Sequence, residues 1–175
     1  MSSGAAAPQP TSTDAPSERQ PITLAWAVLA VLLVVLSVTL GGYVRLTLLK
    51  VVLVLTAAGE ALAFVSNSFR PRRFAEQNGR PFHPAFHGVM QDFGFYNLAF
   101  AGLLALAALD PGSNRGLLGV ITASYLVHAL THILRYFGLY FGGGHSISAR
   151  PRALELRDGL QLIVPALGIL LFFPS

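Results

Sequence analysis

The chain contains no cysteine. Disulfides, thiolate-held metal sites and iron–sulfur clusters are therefore excluded. Charge is also scarce: Asp, Glu, Lys and Arg make up 11% of the 175 residues, against about 25% in a soluble domain. Lysine is almost missing. Lys50 is the single example, and the other eleven of the twelve cationic residues are arginine. The formal charge of +4 does not gather into a nucleic-acid patch, because the arginines lie in loops and at segment ends. No nucleic-acid partner is expected. No connection between apolar segments is long enough to hold a catalytic domain of its own.

What the chain has in quantity is apolar length, with 53% hydrophobic residues. Several runs reach the roughly 20 residues that a helix needs to span hydrocarbon. The pattern predicts an all-α integral membrane bundle of about five transmembrane helices, a four-helix core plus one peripheral N-terminal helix. Residues 1–21, MSSGAAAPQPTSTDAPSERQP, are rich in Ser, Ala and Pro and are expected to form a disordered tail. They lack the basic start and the cleavage site of a signal peptide. Residues 22–175 form the transmembrane helical domain.

The predicted helices cover about 22–41, 46–67, 84–109, 116–138 and 154–173. Gly41-Gly42 separates the first two; the alternative is one long bent helix. Pro84 suits a first helical turn, and DPGSN at 110–114 reads as a tight turn. With five spans, the tail and two of the connections share one side. That side collects nine cationic residues, Arg19, Arg70, Arg72, Arg73, Arg80, Arg135, Arg150, Arg152 and Arg157, against three on the other, Arg45, Lys50 and Arg115. The positive-inside rule then predicts a multi-pass protein of the cell (plasma) membrane, with its N-terminus cytosolic and its C-terminus outside.

Polar residues interrupt the apolar helices at helical spacing. In the fourth helix Ser124, His128, Thr131, His132 and Arg135 fall on one stripe. In the second, Thr56, Glu60 and Asn67 do the same. The third brings Asp92, Tyr96 and Asn97, and the fifth Asp158 and Gln161. At about 1.5 Å per residue, Glu60, Asp92, Tyr96, Asn97, His128, His132 and Gln161 share a level between the midplane and the cytosolic face. The first helix contributes none. A polar pocket in the cytosolic half follows, since such groups in hydrocarbon are costly and belong in a bundle interior. The blander reading applies to Ser124, Thr56, Thr131 and Gln161 as interhelical hydrogen-bond glue, and to Arg135 as a snorkelling cation. The candidate catalytic residues are Glu60, His128 and His132. The candidate ligand-binding residues are Asp92, Tyr96, Asn97, Arg135 and Gln161.

Two histidines four apart can chelate a metal from one helix face, but His128 and His132 need further ligands, for which Glu60 and Asp92 are the candidates. His83 and His87 repeat the spacing, yet Pro84 makes His83 a cap outside the helix. The GGGH stretch at His145 lacks the Lys-Ser/Thr of a phosphate loop and reads as a turn. FRPRRF at 69–74 is a basic juxtamembrane cluster suited to topology and anionic-lipid contact.

Glu60 in TAAGEALAF, together with Gly94, Tyr96 and Asn97 in DFGFYNLAFAGL, resembles a family of small four-helix bacterial membrane proteins loosely related to the DoxX-like group. In that family the second stretch more often begins Asn-Gln, where this chain has Asp92-Phe93. The resemblance implies a four-helix core over about residues 48–173, with the first helix as an addition. It implies no particular chemistry, and the histidines of the fourth helix lie outside its pattern.

Three functions fit these residues. One is binding of a lipid-like or small hydrophobic ligand in the polar pocket, or service as an accessory subunit in contact with membrane lipid. Another is a membrane enzyme using Glu60 with His128 or His132 in acid–base chemistry on a lipid-like substrate. The third is a redox protein with a histidine-ligated metal or haem. Neither the cofactor nor the oligomeric state can be read from the chain.

Overall fold

The computed structural model of the chain describes residues 20–77, 82–139 and 152–173. Among them are six α-helices: α1 (Gln20–Thr39), α2 (Gly42–Phe69), α3 (Pro71–Gln77), α4 (His87–Leu109), α5 (Arg115–Tyr136) and α6 (Arg152–Phe172). A single 3-10 turn, Pro84–Phe86, precedes α4. The described residues contain no strand. Three of the helices, α2, α4 and α5, are long and apolar enough to cross a membrane. The apolar stretch of α1, Leu24–Thr39, is shorter. The first two turns of α6 carry Arg152, Glu155, Arg157 and Asp158, which leaves it fewer uncharged turns than a full span needs.

Local chemistry explains where the helices stop. Leu40 and Gly41 interrupt α1 and α2, with Gly41 extended at φ −73° and ψ 166°, so these are two helices and not one bent one. Arg70 leaves helical geometry at φ −137° and ψ 48°, and Pro71 then opens α3 in a first-turn position that wastes no N–H. The segment around FRPRRF is thus partly helical and not wholly loop. Pro84 begins the 3-10 turn, three residues before α4. His83 caps that turn, its Nδ1 accepting a hydrogen bond from the Ala85 N–H at 3.2 Å. At the end of α5, Gly138 adopts φ +80°. Its N–H donates to Arg135 O and the Leu139 N–H donates to Leu134 O, both at 2.9 Å. This is the paired bonding of a left-handed helix stop, which glycine accommodates without strain.

Helices α2, α4, α5 and α6 form an antiparallel ring, each beside the next. The α2–α4 and α5–α6 pairs pack extensively, α2–α6 less, and α4–α5 only slightly. α1 lies outside the ring against α6. Trp26, Ala30 and Leu36 pack against the core and Leu33 enters it, while Val28, Val31, Val35 and Val38 are exposed.

The apolar core sits in one half of the ring. Leu49 and Leu53 of α2, Leu104 and Ala107 of α4, Leu118 and Ile121 of α5, and Ile169 and Phe172 of α6 are all buried in one cluster. These positions lie at the helix ends nearest the 110–114 turn. In the other half, burial occurs within each pair: Asn67, Ser68 and Gly94 between α2 and α4, and Ala129, His132, Glu155 and Gly159 between α5 and α6. Two glycines permit the closest approaches. A Cβ on Gly94 would collide with Ser68 Oγ, and one on Gly168 would lie 2.8 Å from Val52 Cγ1.

Candidate functional site

Two bonded polar pairs join neighbouring or opposite helices, one at the edge of the apolar cluster and one in the far half. The first crosses the ring on its diagonal. The Tyr125 hydroxyl donates to Glu60 Oε1 at 2.6 Å, joining α5 to α2, whose backbones approach each other marginally at most. Tyr125 is buried at 4% exposure. Its ring is held edge-on by Phe100 of α4, with centroids 5.8 Å apart at 85°. Glu60 is half-buried, so one carboxylate oxygen is engaged while the group retains an open side.

The second pair joins α5 to α6. His132 Nδ1 and Glu155 Oε2 lie 2.6 Å apart, with each side chain about 5% exposed. When Glu155 is ionised, the Nδ1–H is the donor. Helix packing sets this contact. Gly159, one turn beyond Glu155, sits so close to α5 that a Cβ there would meet Ile133 Cγ1 at 3.2 Å and both Ala129 O and His132 Cβ at 3.5 Å. His128 lies on an exposed part of α5, its ring stacked on that of His132 at 5.0 Å and 29°.

The other predicted residues are dispersed. Asp92, Tyr96 and Gln161 are exposed, Tyr96 at 72%. Asn97 and Arg135 are half-buried. Ser124, Thr131 and Thr56 do not donate across helices. Their hydroxyls bond to Val120 O, Val127 O and Val52 O of their own helices at 2.9, 2.9 and 2.7 Å, which spends each hydroxyl's one proton. Arg157 and Asp158 pair with each other, Arg157 Nε donating to Asp158 Oδ1 at 2.8 Å. Among the described residues no three His, Asp or Glu side chains converge as a metal site would require. His145, Arg19, Arg80, Arg150 and most of the predicted N-terminal tail lie outside the described residues.

Tyr125 and Glu155 are absent from the sequence-based candidates. Tyr125 could have been found: it lies three residues before His128 and seven before His132, on the inward side of the same stripe. Glu155 lies in the first turn of α6, where a carboxylate ordinarily complements the helix dipole, so nothing in the sequence singled it out.

The three cations on the sparse side of the charge distribution serve helix ends. Arg45 donates to Leu171 O at the end of α6. Lys50 donates to Leu109 O at the end of α4, at 3.4 Å. Arg115 stands 5.3 Å over the Phe173 ring. Carbonyl-capping cations at helix C-termini are favourable both as hydrogen bonds and against the dipole. No protein-family model matches the chain, and no curated protein or solved structure matches it.

Proposed function

We propose that the chain is a multi-pass membrane protein that binds a lipid-like or small hydrophobic ligand inside the ring, with the ligand's polar head at Glu60 and Tyr125. The observation that carries this reading is the diagonal Glu60–Tyr125 bond beside the loosely packed α4–α5 seam. A half-buried carboxylate with an open side, set among apolar helices, suits an amphipathic molecule that offers a hydroxyl or amine donor. Small-molecule sites are mostly apolar with a few placed polar groups. Exposed valines and leucines on α1, α2 and α5 support lipid embedding. The nine-to-three cation distribution supports a cytosolic N-terminus, and the Glu60 and Gly94–Asn97 stretches support a four-helix core loosely related to the DoxX-like group.

A second reading, an accessory subunit, is favoured by the exposure of Asp92, Tyr96 and Gln161 on α4 and α6. Polar groups facing outward in a membrane call for a covering partner. The acid–base reading has less support. It pairs Glu60 with a histidine, whereas Glu60 bonds to Tyr125 and His132 to Glu155.

The test is ligand extraction. Lipid extracts from purified protein are compared by mass spectrometry for wild type, Glu60→Gln and Tyr125→Phe. A species enriched on wild type and lost from both variants, with helix content intact, is the expected result. Identical extracts from all three would refute a ligand site at this pair.

A further inference from the structure

We propose that the corner between α2 and α3 is a binding site for an anionic phosphate ester, separate from the Glu60–Tyr125 site. An open groove of about 450 Å³ lies there, its walls including Phe69, Arg70, Arg72, Arg73, Phe82 and His87. An adjoining groove of about 220 Å³ shares Arg70 and Arg73. Two concavities therefore meet at the same two arginines.

The local fold explains why these arginines stand together. Arg70 breaks α2, and Pro71 restarts the chain as α3. Pro71 and Ala75 are buried and fix the short helix in place, so Arg72 and Arg73 are held outward beside Arg70. Glu76 is the one carboxylate in the groove wall. It is engaged by Arg72, whose Nε donates to Oε1 at 2.9 Å. Among the described residues neither the Arg70 nor the Arg73 guanidinium has a carboxylate partner, so three guanidiniums face one carboxylate.

Guanidinium groups present paired N–H donors in a planar fork that matches two phosphate oxygens. Position adds to this. The 28 residues of α2 extend about 42 Å at 1.5 Å per residue, longer than the hydrocarbon thickness of about 30 Å. An upright α2 that spans a bilayer extends past the hydrocarbon, and its Phe69–Arg70 end is the one that continues into further cations. Phe69, 71% exposed next to Arg70, provides the apolar surface that belongs at the level of acyl chains. The shared chemistry is a phosphate with net negative charge, from a lipid headgroup or from a water-soluble ester.

Native mass spectrometry of the delipidated full chain in detergent tests this. Dioleoyl phosphatidylglycerol is offered against dioleoyl phosphatidylcholine, and glycerol 3-phosphate is then added. Wild type should retain phosphatidylglycerol preferentially. Arg70→Gln with Arg73→Gln should weaken that preference about thirtyfold, the loss expected for two cations at an anionic surface. Arg152→Gln, which removes a cation from α6, should leave it unchanged. Displacement by glycerol 3-phosphate would identify a soluble ester as the natural occupant, and persistence of the lipid would identify a headgroup; both support phosphate recognition. If the Gln pair loses helix content, Arg70→Lys with Arg73→Lys keeps the charge, discards the fork, and should still weaken retention. Equal retention of the two lipids by wild type, an unchanged preference in the folded double variants, or an equal loss in Arg152→Gln would overturn the site.

Discussion

Removing one partner of the His132–Glu155 pair should reveal whether the two groups are held as ions or as neutral glue. The atoms are 2.6 Å apart and both side chains are about 5% exposed, so solvent screens the contact little. Two magnitudes compete. A neutral interhelical hydrogen bond in a membrane bundle averages about 0.6 kcal/mol and reaches about 1.7. Breaking a buried ion pair from one side costs about 3–5 kcal/mol, because a charge is left unpaired. The contact is no longer than the roughly 2.7–2.9 Å of a charge-assisted N–H···O bond, and Gly159 presses α6 onto α5 beside it, leaving little room for water to replace the lost partner. Glu155→Ala and His132→Ala should therefore each destabilise by about 3–5 kcal/mol, while the double variant loses less than the sum of the two. Glu155→Gln, which keeps size and a hydrogen-bond acceptor, should lose less than Glu155→Ala. Reversible unfolding in mixed micelles by SDS titration, followed by Trp26 fluorescence and far-UV circular dichroism, measures all four. Single losses below about 1.7 kcal/mol that add in the double variant would refute the ionic pair.

Tyr125→Phe should cost no more than about 1.7 kcal/mol in the same titration, since it deletes one hydrogen bond and leaves the ring against Phe100; a larger loss would mean that the bond anchors the bundle. Gly168→Ala should cost about 1–3 kcal/mol as overpacking, and more than Gly94→Ala. The β-branched Val52 has one strongly preferred helical rotamer and cannot turn away, whereas Ser68 Oγ makes no hydrogen bond among the described residues to hold it; the reverse order would refute this account. Asp110, outside the apolar helices, has its pKa lowered by hydrogen bonds from the Ser113 hydroxyl and then the Ser113 N–H. The bonds favour folding above the ordinary carboxylate value of 3.8 and lose that effect as pH falls through the depressed folded value, so Ser113→Ala should flatten the acid limb of a stability–pH curve, and an unchanged limb would refute the coupling. Reporter fusions should place the 69–83 segment in the cytosol and the C-terminus outside; both termini on one side would end the five-span reading.

The helices were legible because their signals are local. Apolar length, the double glycine at 41–42 and the DPGSN turn each act within a few residues. The short α3 was not legible, since Arg70-Pro71-Arg72-Arg73 reads as a charged loop until Pro71 and Ala75 are seen to pack. The site was legible only in part, for a reason that helix geometry makes plain. Periodicity identifies a stripe, but a stripe more than about 100° wide has two edges that meet different neighbours. The stripe on α5 divides in this way: Tyr125 turns towards α2, His132 towards α6, and Ser124 and His128 lie exposed. Shared depth along the helices therefore did not imply a shared pocket. Neither partner residue belonged to the polar inventory: Tyr125 presents a large apolar ring with a single hydroxyl, and Glu155 looks like a dipole-complementing first-turn acid.

The cations show the opposite relation between sequence and structure. Counted along the chain, Arg45, Lys50 and Arg115 are the exceptions to a one-sided distribution. In the fold, two of them donate to the terminal carbonyls of α6 and α4 and the third stacks on Phe173. A cation committed to a helix end is present for packing and does not vote freely on topology. The other side presents Arg70 and Arg73 with no carboxylate partner among the described residues, at an exposed corner beside an aromatic. Those charges remain available to the membrane surface. On the nine-cation side Arg72 and Arg157 are likewise engaged, by Glu76 and Asp158, so the cations left without a carboxylate at the α2–α3 corner, Arg70 and Arg73, are the ones that both the proposed orientation and the proposed phosphate site rest on.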